Sequence, residues 1–118
     1  MIRIELPFPP SVNNLYANAG RKRIMTPRYK AWFSLASTAI KGSHRQGVGP
    51  YALAIALKRP DKRRRDLGNL EKAISDLLVE HGVVKDDSLC ERITLQWDHG
   101  IKADCVVIVV PCAEAMAS

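Results

Sequence analysis

Residues 51–82 read YALAIALKRPDKRRRDLGNLEKAISDLLVEHG, and the spacing of their apolar side chains changes partway along. Tyr51, Leu53, Ile55 and Leu57 alternate with Ala52, Ala54 and Ala56, the period-2 pattern of a strand with one large and one small apolar face. Apolar on both faces, it predicts a central strand covered on both sides. Lys58-Arg59-Pro60 ends it and opens a basic run. From Asn69 to His81 the spacing is helical: Leu70, Ala73, Ile74, Leu77, Leu78 and His81 share one stripe. Asn69, Lys72 and Asp76 fall on the opposite, polar flank, and Gly82 is a C-terminal stop. His81, at the helix end, is expected to bond carbonyls.

Upstream, Ile2, Ile4 and Leu6 alternate with Arg3 and Glu5, a half-buried strand. Pro7, Pro9 and Pro10 then begin a loop, PFPPSVNNLYANAGRKR, that is long for so small a domain; long loops tend to be functional or disordered. Thr26-Pro27 predicts a helix N-cap with proline in the first helical position. Trp32, Leu35, Ala36, Ala39 and Ile40 follow at helical spacing, Gly42 can end the run, and GSHRQGVGP is a turn-rich connection.

Downstream of the central helix, Ile93, Leu95 and Trp97 alternate with polar residues, HGIKAD makes a turn, and CVVIVV is a further strand. The last two strands are expected to form an antiparallel hairpin. The order β-α-β-α-β-β predicts one mixed α/β, or α+β, domain over residues 1–118, with a loose tail at 113–118.

The chain has 118 residues, of which 18 are Lys or Arg and 12 Asp or Glu, for a formal charge of +6. A pI near 9.5 points to a polyanionic partner, although excess charge also serves solubility. No apolar window approaches the ~18 residues of a membrane span, so no membrane partner is expected. MIRIELPFPP, with its Arg, Glu and prolines, is not a secretory signal. Cys90, Cys105 and Cys112 lack CxxC spacing and read as reduced thiols of a cytoplasmic protein.

The candidate chemistry lies where the basic run meets a carboxylate. Lys58, Arg59, Lys62, Arg63, Arg64 and Arg65 precede Asp66. An arginine fork can bond phosphate through two donors. If about five of these side chains met phosphates, log K would fall with log salt at a slope of roughly −4 to −5. The plainer reading is a solvated charged loop. Asn13, Asn14 and Tyr16 can bond or stack with nucleic acid, and Arg21, Lys22 and Arg23 add charge.

Metal-assisted phosphodiester hydrolysis needs clustered hard oxygen ligands. Asp66 precedes the helix and Asp86-Asp87 follow it, but a helix of about 13 residues spans roughly 20 Å. The two acidic sites meet only if the following turn folds back along the helix, or if the second comes from a dimer partner. Asp66 could equally be an N-cap and Asp86-Asp87 a turn. Lys72 near carboxylates would stay protonated and could hold a phosphate or steady a leaving oxygen; otherwise it is a surface lysine. His44, His81 and His99 match no ligand spacing.

LPFPPSVNNLY, RIMTPRYKAWF, RPDKRRRDLGNLEKAISDLL and HGVVKDDSLCERI together resemble one family, the RusA-type Holliday junction resolvases of bacteria and their prophages. Its arginine-rich signature runs RRR-Asp-x-Asp-Asn-Leu-x-Lys, followed by a Gly-(Val/Ile)-x-x-Asp-Asp-(Ser/Ala) turn. The signature and turn at this spacing are specific; the N-terminal loop alone is not. The resemblance implies a homodimer that binds four-way junction DNA and nicks two opposed strands with Mg²⁺ held by aspartates. Matched by position, Asp66, Asp87 and neighbouring Asp86 would hold metal. Asp66, Lys72 and Asp87 would be catalytic. Lys62, Arg63, Arg64, Arg65, Asn13, Asn14, Tyr16 and Asn69 would contact DNA. In the family the carboxylates of both elements converge.

Gly68 departs from that pattern, standing where the signature has its second aspartate. The change was introduced to trap an inactive nuclease, or it is a lesion in a decaying prophage gene, or Asp86 or Glu71 fills in. Loss of a hard ligand should weaken Mg²⁺ binding and make activity lean on higher metal or on Mn²⁺. Near a helix N-terminus glycine is also a tolerated cap, so the fold does not require aspartate there. Three functions stay open: a junction-resolving nuclease weakened at Gly68, a catalytically silent junction- or DNA-binding module, and an RNA-binding or general basic scaffold.

Overall fold

The computed structural model describes residues 1–113, so the expected loose tail lies, from residue 114 on, outside the described residues. A mixed four-stranded sheet is ordered β1-β6-β4-β5, from β1 (Ile2–Leu6), β4 (Tyr51–Leu57), β5 (Cys90–Trp97) and β6 (Cys105–Pro111). Two helices, α1 (Pro27–Ser37) and α2 (Glu71–Glu80), pack on it, giving the expected α+β class.

Register explains which side chains enter the core. Ile4, Val107 and Ile55 pair across the sheet, as do Leu6, Cys105 and Leu57, and all are buried. They join the stripe of α2, where Ile74, Leu77 and Leu78 are fully enclosed. Each such side chain stabilises the fold by roughly 1.5–3 kcal/mol. The other face of β4 differs from expectation. Ala52, Ala54 and Ala56 are only half-buried, because both helices lie against the large residues.

The expected hairpin of the last two strands does not form. β5 pairs parallel with β4, the arrangement a strand–helix–strand crossover through α2 produces. β6 instead inserts between β1 and β4, antiparallel to both. The 98–104 connection passes over the end of β4, where Asp98 N–H donates to Leu57 O at 2.8 Å and Lys58 N–H to Asp104 O at 2.9 Å. The physical reason lies in composition. CVVIVV is apolar on both faces and suits an inner strand, whereas β5 is an edge strand that leaves Ile93 47% exposed.

The proline-rich loop also holds more structure than expected. A short 3-10 turn at Val12–Asn14 leads into a hairpin of β2 (Tyr16–Ala19) and β3 (Lys22–Met25), reversed at Gly20 with φ 65°. The loop is fastened to α1 by Trp32 Nε1–H donating to Pro7 O at 3.1 Å and by Thr26, whose hydroxyl donates to Asn14 O. Thr26 also caps α1 as expected, accepting from Tyr29 N–H at 3.2 Å. The helix stops at Ser37, before Ala39 and Ile40, and Leu35 faces solvent at 60% exposure; Tyr29, Trp32 and Ala36 are the buried positions.

Candidate active site and nucleic-acid interface

The helix expected from Asn69 begins two residues later. Leu67–Asn69 form a 3-10 turn and α2 starts at Glu71, so Asp66 precedes the 3-10 turn and its carboxylate makes no capping bond. Asp66 is exposed, and with Arg63, Arg64, Asn69, Asn14 and Arg28 it lines a cleft of about 510 Å³. Phe8 and Trp32 give this cleft an apolar wall. Four arginines, at 28, 63, 64 and 65, surround one carboxylate, a lining suited to a phosphodiester backbone. Arg28 was not singled out from sequence. Its place in the first turn of α1, where backbone N–H groups also point outward, was the available signal.

The far end of α2 determines where the second acidic site falls. Gly82 adopts φ 70°, its N–H donates to Val79 O, and Val83 N–H donates to Leu78 O at 2.9 Å. This is a Schellman closure that turns the chain back on the helix. The returning segment is held by Val48, whose N–H donates to Val83 O and whose carbonyl accepts from Lys85 N–H. It delivers Asp87 to the first turns of α2, with Lys72 Nζ 3.7 Å from Asp87 and 3.0 Å from Asp76. The turn therefore folds back along the helix within one chain.

Lys72 is held protonated, its pKa raised first by the hydrogen bond to Asp76 and further by the charge of Asp87. Asp86 behaves differently. Its carboxylate accepts from Ser88 N–H and from the Ser88 hydroxyl, bonds that lower its pKa. Glu71 likewise accepts from the Ser75 hydroxyl. Asp66 and Asp87 line different clefts, and among the described residues no group of three His, Cys, Asp or Glu side chains could hold a metal. Gly68 contributes no side chain, although a Cβ there would meet nothing within 4 Å.

Of the other expected contacts, Lys62 and Asn13 are exposed outside the arginine-lined cleft, and Tyr16 lines a second one. Arg65 is committed inside the molecule. It pairs with Asp61, which pulls the Asp61 carboxyl down to about 2, and lies over the Phe8 ring at 5.6 Å. Phe8 stacks on Trp97 at 6.2 Å, and Arg59 covers Trp97 at 4.3 Å. This column of cations and rings ties the basic run to the N-terminal loop and β5. His81 donates or accepts not at a carbonyl but at Ser37, with Nε2 2.7 Å from the hydroxyl, and stacks on Phe33. No helix among the described residues is long and apolar enough to cross a membrane.

The model of the family described as endodeoxyribonuclease RusA matches residues 7–110. The chain belongs to the RusA family of endodeoxyribonucleases. A crossover junction endodeoxyribonuclease rusA of Enterobacteria phage 82 is 41% identical over 88 residues, 72% of each chain. RusA proteins bearing the same description from Shigella sonnei and Escherichia coli are 39% and 38% identical over the same share. RusA relatives are thus nucleases, enzymes that hydrolyse phosphodiester bonds. The matched residues span both acidic positions, the basic run and the proline-rich loop.

Proposed function

We propose that this chain is a structure-specific endonuclease that resolves four-way DNA junctions by paired nicks, with hydrolysis weakened because Gly68 replaces a carboxylate. The observation that carries this reading is the return of Asp87 onto Lys72 in a RusA-family chain whose arginine-lined cleft contains Asp66. Arg63, Arg64 and Arg28, with Lys62, Asn13, Asn14 and Asn69, would hold the DNA arms, and Tyr16 would stack. Lys72, kept cationic by two carboxylates, would stabilise charge developing on the leaving oxygen.

The donor chemistry suits Mg²⁺, with Mn²⁺ able to substitute. Magnesium commonly takes one or two carboxylates and completes its shell with water and substrate phosphate. Asp66 and Asp87 are the carboxylates that would hold it, because Asp86 is turned onto Ser88. When bound, such an ion supplies Lewis acidity and an activated water. Two nicks in opposed strands call for two sites, so the active species would be a symmetric homodimer of one-domain chains. A cytoplasmic setting suits a DNA substrate.

Nicking of a synthetic four-way junction by the chain and by Gly68→Asp, in Mg²⁺ and in Mn²⁺, tests the reading. Gly68→Asp is expected to cut rapidly in either ion, while the chain itself cuts slowly and gains from Mn²⁺. That no third carboxylate joins a metal-holding group among the described residues favours one alternative, a silent junction-binding module. That alternative stands if both proteins bind the junction and neither nicks it.

A further inference from the structure

Asp87 also borders a second cleft, of about 530 Å³, that is unlike the arginine-lined one. Its walls are aromatic. Tyr29 is 2% exposed, and Tyr16 and Phe33 meet it edge-on with ring centroids 5.7 and 6.0 Å away. Tyr16 itself is 37% exposed, and Arg23 covers its ring at 4.6 Å. Asp76, Glu80 and Asp87 supply the charge, and Glu80 makes no ion pair among the described residues.

This combination narrows the ligand. Asp76 and Asp87 are paired with Lys72, which leaves Glu80 as the carboxylate open to a ligand, and it accepts hydrogen bonds only from N–H or O–H groups. The rings favour a flat π-system, and the volume lies in the range of sites that enclose a small aromatic group. Because Asp87 is shared, whatever enters sits beside the proposed cleavage site.

Resting on the junction-nuclease reading, we infer that this cleft takes one unstacked, amino-bearing nucleobase of the junction, stacked on Tyr16 and hydrogen-bonded through its exocyclic amine to Glu80. Thymine fits poorly, since it has no exocyclic amine and its one ring N–H is flanked by two carbonyls that a carboxylate repels.

The test is binding in EDTA to four-way junctions altered at one position at a time around the branch point. Each position carries its native base, an abasic residue or thymine. Base–aromatic stacking is strong enough that, at one position, the abasic residue should weaken binding about 10-fold. Tyr16→Ala should bind native and abasic junctions within about twofold of each other, while Tyr16→Phe keeps the full penalty. Glu80→Gln should lose the discrimination against thymine and keep the abasic penalty. The inference is overturned if no position is sensitive, or if the abasic penalty is the same in Tyr16→Ala. Failure to prefer a junction over duplex would instead sink the junction reading, and this site with it.

Discussion

The ammonium of Lys72 stands between two carboxylates, 3.0 Å from Asp76 on its own helix and 3.7 Å from Asp87 on the returning segment. Asp76 makes the shorter contact and is the larger cause of the raised Lys72 pKa. A lysine whose folded pKa is raised gains stability below its unfolded value, ~10.4, and loses it as pH rises through the higher folded value. Near neutrality Lys72 stays protonated with or without this shift. Asp76→Asn should therefore lower the Lys72 pKa, read from the side-chain NMR titration, without altering the neutral-pH profile. It should change stability by less than ~0.5 kcal/mol, since an i,i+4 pair between exposed Lys72 and half-buried Asp76 contributes little. Nicking by Gly68→Asp should slow in the Asp76→Asn background. An unchanged Lys72 titration would show that Asp76 does not set its charge.

Two glycines should respond oppositely to substitution. Gly82 sits at φ 70° and closes the turn that returns Asp87 to α2. Gly82→Ala should cost about 1–2 kcal/mol, the left-handed penalty for a residue with a Cβ. Gly68 has no such φ, and a Cβ there meets nothing within 4 Å. Gly68→Asp should fall within ~0.5 kcal/mol of the parent chain, as surface changes usually do. Urea midpoints of the two variants decide this, and equal losses would contradict it.

Asp61 anchors the basic run, and its carboxyl lies at about 2 because Arg65 bonds it and Arg63 N–H donates to it. A depressed carboxylate pKa stabilises above the unfolded value, ~3.9, and that contribution is lost as pH falls through about 2. The order of the loop should therefore persist through pH 4 and fail nearer 2. The Phe8–Trp97 stack supplies the readout. Indole fluorescence in a Trp32→Phe background should stay constant down to that range, and Asp61→Asn should give the shifted signal already at pH 7.

What the sequence made legible was what periodicity encodes. The apolar stripe of α2, the Thr26 cap and the inner position of β4 all follow from side-chain spacing. The β2–β3 hairpin was hidden because it is exposed on both faces and carries no alternation; its one signal was the Gly20 turn. The placement of β6 was hidden because adjacency in sequence favours a hairpin, while burial on both faces favours the inner position it takes. At the candidate site, spacing put Asp76 one turn from Lys72 on the same polar flank, but it could not show that the turn after the helix brings Asp87 back to the same lysine. Nor could it show that Arg65, which lines the cleft with Arg63 and Arg64, is already paired with Asp61 four residues away.

That last distinction gives a prediction for binding. Arg63, Arg64 and Arg65 all line the cleft, but the first two are exposed, whereas Arg65 is half-buried and held by Asp61 over Phe8. If Arg63 and Arg64 each neutralise one phosphate, replacing either with alanine should make the slope of log K against log salt shallower by about 0.9. Arg65→Ala should behave differently. It removes no phosphate contact, so the slope should stay near that of the parent chain. It also breaks the Asp61 pair and uncovers Phe8, so the intercept should drop as the loop loses its order. Titration of a four-way junction at several salt concentrations separates the two effects. A slope change for Arg65→Ala as large as that for Arg63→Ala would mean that Arg65 leaves Asp61 for DNA, and that the column of rings and cations is a resting arrangement of the free protein.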